Sequence, residues 1–271
     1  MGPSKVPTIG VFDSGFGGLT VLRALLEAIP GAGYLYFGDT ARLPYGSKSA
    51  ETVAKYAVEA SGFLEKHGAG VLVIACNTAT ALAMDAIRKA SSVPVIGVID
   101  PGAERASLES KTRKAVVIAT EATVGSHAYL KALESRGVQA NEKACPLLVP
   151  LVEEGWVDHP VTEQVARIYL QEAFSGAFES ADVLLLGCTH YPLLKPLLQR
   201  VTRPDVVIVD SAESTAMVVA QQLGAPLPGK TNGSAAKVQF FATDSVAKFQ
   251  RLGARFLGRD IEEVKHVDLR E

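Results

Sequence analysis

Two stretches of this chain share one form. Residues 183–192, Val-Leu-Leu-Leu-Gly-Cys-Thr-His-Tyr-Pro, carry four apolar residues into Gly187 and then present Cys188, Thr189 and His190 before a proline. Residues 71–78, Val-Leu-Val-Ile-Ala-Cys-Asn-Thr, repeat the pattern with Cys76, Asn77 and Thr78. A short apolar run bounded by a turn reads as a strand buried on both faces, the kind found in parallel sheets. Open α/β sheets bind ligands beyond the carboxyl ends of their strands. The repeat therefore points to two equivalent strand ends, each delivering a thiol followed by groups that hydrogen-bond.

The remaining chain alternates in the same way. Strands are expected at 8–12, 34–37, 93–99, 115–119, 206–209 and 238–241. Helices are expected from 19 to a stop at Pro30 and Gly31, after the Ser49 cap, at 78–90, 123–136, 161–174, from about 192 to 201, at 214–223 and from 244. Residues 145–152 read as strand or loop, and 225–233 as a Pro/Gly loop. Strand–helix alternation predicts parallel sheets with helices on both faces. The fold class is α/β, with two similar domains and a cleft between them. Asp100-Pro-Gly102 breaks the pattern and marks the first crossing. Residues 1–98 with 211–271 then form one domain, which carries Asp13 and Cys76. Residues 99–210 form the other, which carries Cys188 and His190.

With 21% charged residues and a net charge of −2, the chain lacks the basic footprint of a nucleic-acid binder. No apolar stretch reaches the length of a bilayer span. The first seven residues carry no apolar segment of the signal-peptide kind, so a reducing cytoplasm is the expectation. Three cysteines argue against a disulfide framework. The five histidines show no metal-ligand spacing around the thiols, and no metal is expected.

A thiol at a strand end before a helix feels the helix's positive end, which lowers its pKa. A lone cysteine after Val, Ile or Leu is also a common core residue, and Cys145, between Ala144 and Pro146, is read that way. Cys76 and Cys188 differ because both are followed by polar groups. Two thiols facing one cleft suit a carbon acid held between them: one takes the α-proton and the other returns a proton to the opposite face. Asp13-Ser14-Gly-Phe-Gly-Gly18 lies at the first strand-to-helix turn, where glycines let a backbone approach a ligand. Its spacing is not a nucleotide fingerprint, and Asp13 reads as a ligand group or as an N-cap. Tyr45 reads as a binding group or a solvent-edge aromatic, and His190 as a structural histidine or a partner that polarises the thiol. Glu153 and Glu154 read as a solvated loop, with one facing the cleft as the alternative.

Four segments together resemble the glutamate racemases of the cofactor-independent amino-acid racemase superfamily over nearly the whole chain. They are Gly10-Val-Phe-Asp-Ser-Gly-Phe-Gly-Gly-Leu19, Gly38-Asp-Thr-Ala-Arg-Leu-Pro-Tyr-Gly46, Ala75-Cys-Asn-Thr-Ala79 and Gly187-Cys-Thr-His-Tyr-Pro-Leu-Leu194. The resemblance implies interconversion of L- and D-glutamate without pyridoxal phosphate, metal or nucleotide, supplying D-glutamate for peptidoglycan. It implies Cys76 as the base toward D-glutamate and Cys188 as the base toward L-glutamate, assisted by Asp13 and His190, with Glu153 matching a further position linked to catalysis. It assigns substrate binding to Asp13, Ser14, Pro44, Tyr45, Gly46, Asn77, Thr78, Thr120, Thr189 and His190, with Thr123 fitting a further pattern. It also implies a homodimer. A sister racemase acting on aspartate, a small-ligand binding protein with inert cysteines, and a thiol redox protein are the alternatives.

Overall fold

The computed structural model describes residues 6–225 and 236–269. The first elements are β1 (Ile9–Asp13), α1 (Leu19–Ala28), β2 (Tyr34–Gly38), α2 (Ala50–Lys66), β3 (Val71–Ile74), α3 (Asn77–Ala90) and β4 (Val95–Gly97). Next come α4 (Ile99–Glu109), β5 (Lys114–Ala119), α5 (Glu121–Ser126), α6 (Ala128–Glu134), β6 (Gln139–Ala144), α7 (Leu148–Glu153) and α8 (Pro160–Ala173). The chain continues through β7 (Val183–Gly187), α9 (Lys195–Val201), β8 (Val207–Asp210) and α10 (Ser211–Gln222). It closes with β9 (Val238–Ala242), α11 (Val246–Leu257) and β10 (Lys265–His266).

The strands form two sheets, ordered β10-β9-β2-β1-β3-β4 and β6-β5-β7-β8, with every neighbouring pair parallel. Each sheet reverses its winding beside its first strand. The chain lays β2 on one side of β1 and then β3 on the other, and it lays β6 on one side of β5 and then β7 on the other. Such reversals open a crevice at the strands' carboxyl ends. Cys76 follows β3 at the first crevice and Cys188 follows β7 at the second. Equivalent topology explains the repeated sequence form.

The inner strands are apolar because both faces are covered. Val11 and Val73 of the first sheet share one buried cluster with Ile118, Leu184 and Leu186 of the second. Phe12, Leu72 and Ile74 turn toward α2 and α3, while Val117, Val183 and Leu185 turn toward α4 and α6. Each fully buried leucine contributes roughly 1.5–3 kcal/mol, so a one-residue register slip in β7 would be costly.

Local signals explain the ends of several helices. Ser49 accepts a hydrogen bond from the Thr52 amide at the start of α2. Pro160 occupies the first turn of α8, where a missing N–H costs nothing. Gly258 ends α11 with φ 78°, a left-handed value that glycine takes without strain.

Several expectations are corrected. Asp100, Pro101 and Gly102 do not break the pattern; they lie in the first turns of α4, where proline is tolerated. A Cβ on Gly102 would meet Ser211 at 3.2 Å, so that glycine serves close packing of α4 on α10. The helix expected at 123–136 is two helices, broken at His127 with φ 56°. Residues 148–153 are helical, and the neighbouring strand is the polar β6. Beyond Ala225, the loop expected at 225–233 lies outside the described residues.

Candidate active site

Both crevices open on one cavity of about 390 Å³, within the range of small-molecule sites. Its walls include Ser14, Pro44, Tyr45, Gly46, Cys76, Asn77, Thr78, Thr120, Cys188, Thr189 and His190. All three cysteines are free and buried. Cys145 lies away from this cavity, in the core.

Cys76 caps α3, its sulfur accepting from the Ala79 amide at 3.4 Å, and its thiol donates to Ser14 Oγ at 3.5 Å. Burial pushes this thiol up to about 12, with the nearby Asp13 charge adding to the effect. This corrects the expectation of a depressed pKa. One helix end does not offset removal of the thiolate from water. Asp13 is not among the cavity-lining residues; it sits behind Ser14 at the end of β1. One of its oxygens accepts from the Gly15 amide at 2.9 Å, and the other has no partner among the described residues. Burial raises its pKa, while His190 and the amides of Gly18, Gly15 and Ser14 act in the other direction.

At the other thiol, His190 Nδ1 lies 3.9 Å from the Cys188 sulfur and Nε2 lies 3.3 Å from Glu153 Oε1. Burial disfavours the imidazolium, but Cys188 and Glu153 outweigh it and raise the pKa to about 10. Glu153 closes α7 and faces the cavity. Burial acts to raise its pKa, yet the bonds and charges of His190 and Lys248 keep it below the usual carboxylate value. Lys248 on α11 also lines the cavity, with its ammonium 3.8 Å from Glu153 Oε2. No sequence feature singles out Lys248. It lies in an amphipathic helix with no local motif, and its significance comes from what faces it.

The polar walls are already partly committed. Tyr129 donates to Asn77 Oδ1 at 2.6 Å, and the buried amide nitrogen of Asn77, a residue of the cavity wall, has no partner among the described residues. Thr78, Thr120 and Thr123 form a triangle of hydroxyls with edges of 3.0, 3.2 and 2.9 Å. The Tyr45 hydroxyl donates to Asp39 at 2.6 Å, so this buried residue offers the cavity its ring and backbone. The solvent-edge alternative for Tyr45 is ruled out by its 1% exposure.

The glycines after Asp13 serve packing between elements. A Cβ on Gly17 would run into Thr189 and His190, and one on Gly18 would come within 2.8 Å of the Asp13 carboxyl carbon. Gly46 likewise admits Thr120, which a Cβ would meet at 2.9 Å. The first-sheet loops thus close directly on second-sheet residues.

Fold and site together define a doubly wound α/β protein that presents two thiols, at matched strand ends of two sheets, to one small-molecule cavity. The chain belongs to the Asp/Glu/Hydantoin racemase family, whose model matches residues 9–219. It is 60% identical to the glutamate racemase of Koribacter versatilis, over 97% of this chain and 98% of that relative. Its fold matches the crystal structure of glutamate racemase from Francisella tularensis in complex with D-glutamate, with TM-score 0.88 and 34% identity, covering 98% of this chain and 99% of that one. Glutamate racemase isoform RacE1 from Bacillus anthracis matches with TM-score 0.89 and 38% identity, covering 98% of each chain.

Proposed function

We propose that this chain is an isomerase that interconverts L- and D-glutamate by proton transfer between two cysteines, supplying D-glutamate for peptidoglycan. The observation that carries the reading is the placement of Cys76 and Cys188, each after the strand beside its sheet's reversal, on the walls of one cavity. In the L-to-D direction the Cys188 thiolate removes the α-proton. The electron pair of the broken C–H bond spreads into the α-carboxylate, and the Cys76 thiol protonates the opposite face. Burial favours the thiol form of Cys76, the form that this direction requires of it.

Carbanion-like charge must be stabilised by donors already in place. The orphaned Asn77 amide is such a donor, and Ser14, Thr78, Thr120 and Thr189 supply hydroxyls on the same walls. Pro44, Tyr45 and Gly46 complete the substrate pocket. His190, protonated between Cys188 and Glu153, stabilises the Cys188 thiolate. Asp13 acts behind Cys76, where its charge opposes a second negative charge and favours return of the proton. No pyridoxal phosphate, metal or nucleotide enters this scheme, because both proton carriers are side chains of this chain.

Residues 1–98 with 211–271 and residues 99–210 are the two units expected to close on substrate. Sheet membership supports that division, since β1–β4, β9 and β10 fall in one set and β5–β8 in the other. The homodimer implied by the resemblance belongs to the same reading, and sedimentation velocity tests it. Thiols that must stay reduced fit a cytoplasmic setting. Among the described residues, no helix is long and apolar enough to cross a membrane.

A panel of L-amino acids, followed by circular dichroism without added cofactor, tests the substrate. Racemisation of glutamate and not of aspartate is expected. Activity on aspartate alone would assign the sister reaction.

A further inference from the structure

We propose that Lys248 is a positioning residue for the Cys188 side of the reaction, its ammonium holding the Glu153 carboxylate against His190 Nε2 and thereby the imidazole against the Cys188 thiol. The inference rests on the roles proposed above for Cys188 and His190.

Four side chains form a line. Lys248 Nζ lies 3.8 Å from Glu153 Oε2, Glu153 Oε1 lies 3.3 Å from His190 Nε2, and His190 Nδ1 lies 3.9 Å from the Cys188 sulfur. Glu153 divides its two oxygens between the two cations, so its orientation is set from both sides. A carboxylate held only by His190 would be free to turn its second oxygen into the cavity, where an anionic substrate would meet it. Among the described residues, the charges that bear on Glu153 are His190, from the turn after β7, and Lys248, from α11, and His190 also interacts with Asp13 at the end of β1. Arg255, farther along α11, lies against Gly155 just beyond Glu153. The Lys248 ammonium is also 5.7 Å from the centre of the Phe16 ring, a contact that restrains it.

The line crosses the cleft. Lys248 follows β9 of the six-stranded sheet, whereas Glu153 and His190 belong with the four-stranded one. Closure of the two sets of elements would therefore bring the cation to Glu153 as substrate is enclosed. In this role the lysine acts only through Glu153.

The test compares the parent with Lys248→Met, Lys248→Arg, Glu153→Gln and the Lys248→Met/Glu153→Gln double variant. The pH profile of kcat/KM is measured in both directions. The enantiomers have equal free energy in water, so both directions must report the same kcat/KM. A half-exposed ion pair makes only a modest contribution, so Lys248→Met should move the acid limb upward by about 0.5 pH unit, a roughly threefold loss on that limb. Arginine should restore the limb, and methionine should add no shift in the glutamine background. A second readout needs no turnover. The His190 imidazole, followed by NMR in the full chain, should titrate at lower pH in Lys248→Met than in the parent. An unmoved titration with either a superimposable profile or a pH-independent loss would overturn the proposal. If the parent fails to racemise glutamate, the functional reading falls, and the His190 titration alone decides the role of Lys248.

Discussion

Gly17 makes room for His190: a Cβ at position 17 would come within 2.6 Å of Nδ1, the ring nitrogen that faces Cys188. The missing side chain lets the first turn of one sheet bear directly on the imidazole of the other. Gly17→Ala should therefore displace His190 or Thr189 while leaving the sheets intact. A displacement of that size near the reacting atoms can cost up to about 10²-fold. The check is kcat/KM beside the thermal melt, with activity falling by at least tenfold and the melt nearly unchanged.

The Cys76 thiol is held at about 12 by burial and by Asp13. In the substrate-free protein its thiolate fraction at pH 8 should be about 10⁻⁴, and iodoacetamide should label it slowly. The rate of Cys76 carbamidomethylation, read by peptide mass spectrometry, should keep rising above pH 9. A plateau near 9 would show an ordinary exposed thiol.

His190 bears on stability as well as on chemistry. Its folded pKa of about 10 exceeds the ordinary 6.5, so its stabilising effect is complete below pH 6.5 and disappears as pH rises through 10. Urea unfolding of the parent and of His190→Gln should show a gap at pH 6 that narrows by roughly 2–4 kcal/mol at pH 10. A gap of the same size at both values would contradict the buried imidazolium.

Tyr129 orients Asn77 through a bond of 2.6 Å that spans the two sheets' elements. Tyr129→Phe leaves the buried amide oxygen unsatisfied and should cost about 1–3 kcal/mol of stability. The freed amide should also hold substrate less well. Steady-state kinetics should show KM rising severalfold, with a smaller change in kcat.

Much of this arrangement is legible in the sequence because it depends on short, fully buried strands. The runs ending at Ile74 and Gly187 leave no other use for four consecutive apolar residues, so the positions of Cys76 and Cys188 follow directly. β6 is harder to read because it is an edge strand, Gln-Ala-Asn-Glu-Lys-Ala, with no apolar alternation. α7 has six residues, fewer than two helical turns, and so shows no period. Asp100-Pro-Gly102 has turn chemistry, yet a helix's first turn accepts the same residues. Gly17 and Gly18 look like ligand-facing glycines from spacing alone. Only their neighbours reveal that they admit Thr189, His190 and Asp13. Lys248 stands far from Glu153 and His190 in sequence, and its part is set entirely by tertiary contact. The direction of the Cys76 shift was also hidden, because a sequence names the helix that follows a thiol but not the depth at which the thiol is buried.

The most direct test of two-thiol racemisation is incubation of the purified protein with L-glutamate in heavy water, without added cofactor, following optical rotation and the α-proton signal together. Loss of rotation with deuterium incorporated at the α-carbon is expected, and Cys76→Ser and Cys188→Ser should each reduce it by at least about 10²-fold. Racemisation that persists in either serine variant, or a folded parent with free thiols that exchanges no α-proton of glutamate, would contradict the account.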